Sequence, residues 1–164
     1  MRLVLSKLLP NTPIVGDKFP GYFRKLPQLT QIDNACTLVI YRDCRDVVQS
    51  TLRKAQTDWH NKRWVRRLDS AEKVAHRWVQ AIELMEQHRD KVHIIRYEEL
   101  VTNPGSVLAR LGVYLQVDPA GFDQTIVRST SIGKHKSGLT HEQLTVIHQI
   151  AGETMQRVGY TSAN

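Results

Sequence analysis

A chain of 164 residues, 41% hydrophobic and 24% charged, is long enough for one domain and has neither the polar bias of a disordered segment nor the fixed period of a repeat array. Lysine and arginine number 23 against 16 aspartates and glutamates, a net charge of +7, which favours anionic partners such as phosphates, sulfates, nucleic acid or acidic lipid. No stretch approaches the ~20 apolar residues of a membrane span, and MRLVLSKLLP is broken by Lys7 and Pro10 before a signal-peptide core forms, so a cytoplasmic protein with no membrane partner is expected, folded as a single domain over 1–164.

In chain order, Pro13-Ile14-Val15-Gly16 reads as a short strand or extended lead-in, and Phe19-Pro20-Gly21-Tyr22 as a loop. Cys36 to Tyr41 is a continuous apolar run without alternation, the pattern of a parallel strand covered on both faces. From Asp46 to Ala55 an apolar stripe of Val47, Val48, Leu52 and Ala55 predicts a helix, with Asp46, Ser50 and Lys54 on another face. Trp59 to Arg67 is basic and aromatic without periodicity, a loop or broken helix. Ser70 caps a predicted helix that buries Val74, Trp78, Ala81, Ile82 and Met85. Val92 to Tyr97 is a second strand, and Asn103-Pro104 caps and opens a helix with Val107, Leu108, Leu111 and Leu115 inward. Thr140 and Gln143 form a capping-box pattern before a last helix that buries Leu144, Ile147, Ala151 and Val158. Strands alternating with helices give the class: α/β, a parallel sheet flanked by helices on both faces. The two cysteines, Cys36 and Cys44, are too few and too far apart for a disulfide framework or a zinc knuckle, so reduced thiols and no metal site are expected.

The stretch RDCRDVVQS, Arg42 to Ser50, follows the first strand directly. Ligands of such sheets bind beyond the carboxyl ends of the strands. An arginine fork there, the amides of a helix starting near Cys44 and the Ser50 hydroxyl would together suit one phosphate. Arg42, Asp43, Arg45 and Asp46 suit equally a solvated ion-pair network at the helix start that binds nothing.

RDCRDVVQS resembles the 3'-phosphate-binding segment of sulfotransferases that use 3'-phosphoadenosine-5'-phosphosulfate. Three further stretches resemble that family in the same order: GDKFPGYF from Gly16, RYEEL with NP from Arg96 to Pro104, and STSIGKHKSGLTHEQL from Ser129. The resemblance implies a partial P-loop-type sheet and a nucleotide sulfate donor, with adenosine 3',5'-bisphosphate as product. It implies that Arg42 and Ser50 bind the 3'-phosphate, that Tyr97 lies near the nucleotide, that Arg128 and Lys134 face the phosphates, and that Lys18 is catalytic, its cation meeting charge on the leaving phosphate. At Arg128 the family often shows Arg-Lys-Gly, where this chain has Arg128-Ser129-Thr130.

The family's loop of the P-K-S-G-T-[ST] type, which wraps the 5'-phosphosulfate, has no counterpart before Arg42, so the sequence reads as N-terminally truncated relative to the family. The absent strand would leave a sheet edge that favours pairing with a second copy or with a partner carrying the loop, and MRLVLSKLLP could cover the exposed surface as a short helix. The expected function is sulfuryl transfer to a hydroxyl or amine acceptor, itself unreadable, if a partner completes the site. A non-catalytic module that keeps only the 3'-phosphate site is the alternative. Nucleic-acid binding through Arg53, Lys54, Lys62, Arg63, Arg66 and Arg67 with Trp59 and Trp64 is the least favoured. None of the seven histidines is singled out as a base by an acidic partner or by spacing.

Overall fold

The computed structural model describes residues 14–161; the expected N-terminal helix in MRLVLSKLLP lies outside them. Residues 14–19 run to Pro20 without regular structure, so the lead-in forms no strand. A 3-10 helix, Pro20–Lys25, passes into the short α1, Leu26–Leu29. Strand β1, Leu38–Tyr41, is followed by α2, Cys44–Gln56, a 3-10 helix at Arg63–Arg67, and α3, Ala71–Gln87. Strand β2, His93–Arg96, leads into α4, Tyr97–Thr102, and α5, Pro104–Leu115. The last helices are α6, His135–Gly138, and α7, His141–Arg157.

The two strands pair in parallel with Leu38 opposite His93 and Tyr41 opposite Arg96, as the α/β reading requires. One sheet face, carrying Val39, Tyr41 and Ile94, packs on the main core, where Cys44, Val48, Ala75, Ile82, Ile147 and Ala151 meet. The most extensive helix contact in that core is α3 against α7. On the other face, α5 covers β2: Ile95, Val107 and Leu108 are buried, and the Tyr114 ring stacks on His93 at 4.8 Å. Beside them, Leu38 and Ile40 remain 40% and 57% exposed, which corrects the expectation of a strand covered on both faces. The physical reason is that α5 lies over β2 and no described element lies over β1 on that side. Both outer edges of the sheet are unpaired among the described residues.

The helix ends follow local chemistry. Ser70 accepts from the Lys73 N–H, and Thr140 with Gln143 closes the expected capping box. Asn103 stands at the expected cap position of α5 without a side-chain cap bond, because α4, unforeseen in the sequence, runs straight into that turn. Ala81, Leu111, Leu115, Leu144 and Val158 are partly covered where full burial was expected. Among the described residues no helix is long and apolar enough to cross a membrane.

Ile82→Ala should cost about 2–5 kcal/mol in urea denaturation, because the cavity opens in the closed α3–α7 core. Val113→Ala, at a position 82% exposed, should change stability by less than about 0.5 kcal/mol. Equal costs at the two sites would contradict this placement of the core.

Candidate functional site

The turn between β1 and α2 is fixed from several sides. Asp43 caps α2 by accepting from the Arg45 N–H at 2.8 Å, and its carboxylate also holds the Arg45 guanidinium at 2.7 Å. The Asp43 N–H donates to Glu98 at 3.1 Å, and Glu98 takes the Tyr160 hydroxyl at 2.6 Å. Trp78 of α3 donates its ring N–H to the Arg42 carbonyl at 2.8 Å. The first acidic residue of RYEEL and a core tryptophan therefore hold the backbone from which Arg42 projects.

The Arg42 guanidinium lies over the Tyr97 ring, 4.9 Å from its centroid. One of its amino groups reaches the Asp46 carboxylate at 2.9 Å and donates to the Ser131 carbonyl. Its Nε is buried with no acceptor. Asp46 is 1% exposed and accepts three further bonds from the late loop: the Gly133 N–H at 2.8 Å, the His135 N–H at 2.9 Å and His135 Nδ1 at 2.8 Å. With a carboxylate as partner, Nδ1 carries the proton. Gly133 has φ +73°, a conformation that turns its N–H toward Asp46 and that a side chain would strain. Gly138 lies so close to Gln49 on α2 that a Cβ there would come within 2.6 Å of that side chain. Loop and helix are thus seated on one another from Gly133 to Gly138.

Burial alone would raise the Asp46 pKa. The bonds from the His135 N–H and ring, from Arg42 and from the Gly133 N–H outweigh it and hold the carboxyl below its ordinary value. Burial, with Asp43 adding to it, pushes the Cys44 thiol far above its usual range, so this buried cysteine is inert.

Of the residues singled out in the sequence, Arg42 and Tyr97 are in contact. Arg128 reaches Tyr97 through its backbone carbonyl, which accepts the hydroxyl at 3.4 Å, while its side chain is exposed. Lys134 is exposed between two residues whose amides Asp46 holds. Ser50 is half-buried, one turn beyond Asp46 on α2. Lys18 stands apart on an exposed segment, its backbone N–H held by Asp17 at 2.7 Å. The ion pairs foreseen at the helix start do form, but Asp43 and Asp46 are buried, so the network is not the solvated one. Sequence reasoning missed Asp46 as the receptor of the loop, and His135, whose acidic partner lies 89 residues away in the chain.

The Sulfotransferase family model matches residues 4–120. The chain belongs to the sulfotransferase family. Among solved structures, a sulfotransferase domain from the curacin biosynthetic pathway aligns with a TM-score of 0.59 at 18% identity, over 93% of this chain and 67% of that one; at that identity the likeness shows the fold. No curated protein matches. The matched family segment carries Arg42, Asp46, Ser50 and Tyr97, and the later loop, beyond that segment, meets Arg42, Asp46 and Tyr97.

Asp46→Asn should cost about 1.5–3 kcal/mol at neutral pH, since it removes the charged partner of the half-buried Arg42 guanidinium and weakens the bonds from the late loop. The Asp46 carboxyl is held below its ordinary 3.8, so its contribution is complete above about pH 4 and is lost as the pH falls through the lower folded value. Urea denaturation from about pH 7 down to 3 should therefore show a decline on the acid side that is smaller in Asp46→Asn. An identical decline in both proteins would contradict the role given to this carboxylate.

Proposed function

We propose that this sulfotransferase-family chain binds the 3'-phosphoadenosine end of 3'-phosphoadenosine-5'-phosphosulfate at the start of α2, and that it serves sulfuryl transfer to a hydroxyl or amine acceptor. The observation that carries this reading is the buried Arg42 Nε donor with no acceptor in the protein, at a strand end where the Tyr97 ring and the late loop converge. A phosphate oxygen is the acceptor such a donor lacks, and a buried unsatisfied donor otherwise carries a penalty of about 1–3 kcal/mol. When bound, the nucleotide supplies the sulfuryl group and remains as adenosine 3',5'-bisphosphate.

The chain's own residues then divide the work. Arg42 binds the 3'-phosphate, with Ser50 adding a hydroxyl from the same helix. Asp46 fixes the direction of the Arg42 guanidinium. Tyr97 supports the guanidinium plane from below. Arg128 and Lys134, both exposed on the loop, add cationic charge toward the phosphates. Lys18 is the cation for negative charge that builds on the leaving phosphate.

Calorimetric titration with adenosine 3',5'-bisphosphate beside adenosine 5'-monophosphate reads the 3'-phosphate alone. The expected result is micromolar binding of the bisphosphate, weaker binding of the monophosphate, and a loss of at least about tenfold in Arg42→Lys, which keeps the charge but gives up the fork. Equal affinity for the two nucleotides, or an unchanged Arg42→Lys, would sink the assignment.

A further inference from the structure

The carbonyl of Arg42 and the N–H of Asp43 belong to one peptide unit, and side chains from outside the turn take both. The carbonyl accepts the Trp78 ring N–H at 2.8 Å, and the N–H donates to Glu98 Oε1 at 3.1 Å. The two groups of a planar trans peptide point in opposite directions, so Trp78 and Glu98 grip the plane from its two sides. Turning the plane would strain both bonds. That plane sets the direction in which the Arg42 side chain leaves the strand end.

Glu98 is held in its turn. Its other oxygen, Oε2, accepts the Tyr160 hydroxyl at 2.6 Å and lies 3.5 Å from Arg96 Nε. The Arg96 guanidinium lies over the Tyr160 ring, 4.2 Å from its centroid, and donates to the Gly159 carbonyl at 3.3 Å. Tyr160 arrives there through the end of α7. Gly159 has φ +84° and the Tyr160 N–H returns to the Met155 carbonyl at 2.8 Å, the left-handed helix ending that glycine permits. Asp43, Trp78 and Tyr160 are all buried, so these bonds are shielded from water. Burial, and then the bond to Glu98, push the Tyr160 hydroxyl far above its ordinary range, which keeps it a donor. Asp46 and the late loop hold the Arg42 guanidinium; this second chain of contacts holds the backbone behind it.

We infer that Glu98 and Tyr160 are positioning residues for the 3'-phosphate: they hold the Arg42–Asp43 peptide, and through it the direction from which Arg42 meets the phosphate oxygens. That role rests on the reading of Arg42 as the 3'-phosphate ligand. Tyr160 lies beyond residues 4–120, the segment that the family model matches, so the contact joins a residue outside that segment to the strand-end site. A guanidinium fork satisfies phosphate oxygens only when its plane is correctly aimed, and a tilted peptide is therefore read as lost affinity. Charge gives the opposite sign. A carboxylate near an anion site opposes binding, so removing Glu98 would tighten phosphate binding if it acted by charge alone and weakens it if it positions Arg42. The neighbouring Glu99 supplies the comparison, because its carboxylate pairs with Arg110 at 2.6 Å on the surface.

The test is calorimetric titration with adenosine 3',5'-bisphosphate on wild type, Glu98→Ala, Tyr160→Phe and Glu99→Ala, with the Trp78 indole N–H resonance of each unliganded protein recorded by NMR. Glu98→Ala should lose at least about tenfold in affinity, and Tyr160→Phe, which changes no charge and keeps the ring under Arg96, about threefold. Glu99→Ala, an equal charge loss one residue away, should bind as tightly as wild type or slightly more tightly. The Trp78 resonance, which reports the bond to the Arg42 carbonyl, should move in Glu98→Ala and Tyr160→Phe and stay in place in Glu99→Ala. Affinity in Glu98→Ala equal to or above that of wild type, an equal loss in Glu99→Ala, or an unmoved Trp78 resonance in Glu98→Ala would overturn the inference. If Glu98→Ala does not fold, Tyr160→Phe decides alone, and wild-type affinity there overturns it. No binding by wild type would defeat the nucleotide reading and this role with it, whereas binding that is the same in all four proteins would defeat this role alone.

Discussion

An ionised carboxylate with 1% of its surface exposed carries a desolvation cost of several kcal/mol unless its lone pairs are all engaged. Asp46 engages them with one guanidinium, two backbone N–H groups and one imidazole. The partners come from opposite ends of the chain: Arg42 at the tip of β1, and Gly133 and His135 from the late loop. Withdrawing any of them would leave a buried group unsatisfied. The carboxylate thus ties the loop to the strand end, and the Arg42 guanidinium is aimed as a consequence. Seen this way, the ion pair contributes specificity of arrangement more than net stability, the role best attested for buried charges.

The rest of the fold supplies backing for that arrangement. Helix α3 lies in the core through Val74, Trp78, Ile82 and Met85 and spends the one polar atom of Trp78 on the Arg42 carbonyl. Glu98 holds the first amide of the α2 cap and is itself held by Tyr160 near the chain's end. The opposite side of α3 carries a groove lined by arginines. A single helix therefore separates Arg42, paired with Asp46 at a strand end, from a groove whose arginines form no ion pair among the described residues.

Much of this was legible in the sequence where the determinants are local. The position of Arg42 follows from an apolar strand ending at Tyr41 and a helix beginning near Cys44, and the capping box at Thr140 and Gln143 is a four-residue pattern. Where the determinants are distant, the sequence was silent. His135 carries no nearby acidic residue that would mark it, and its partner is 89 residues away. The strand at Leu38–Tyr41 reads as buried on both faces because an apolar run reports only that apolar contact is available, whereas Leu38 and Ile40 stand open beside the part of the sheet that α5 covers. Helix α4 escaped notice because Tyr97–Thr102 is too short to show a period.

The most direct test of the account is hydrogen exchange at the backbone amides of Gly133 and His135 in the unliganded protein, compared between wild type and Asp46→Asn. If the buried carboxylate seats the loop, both amides exchange far more slowly than an exposed loop would, and the protection falls in the variant while amides in the α3–α7 core change much less. Exchange at the rate of an unstructured loop in wild type, or protection unchanged in Asp46→Asn, would contradict the claim that Asp46 joins the late loop to the arginine at the strand end.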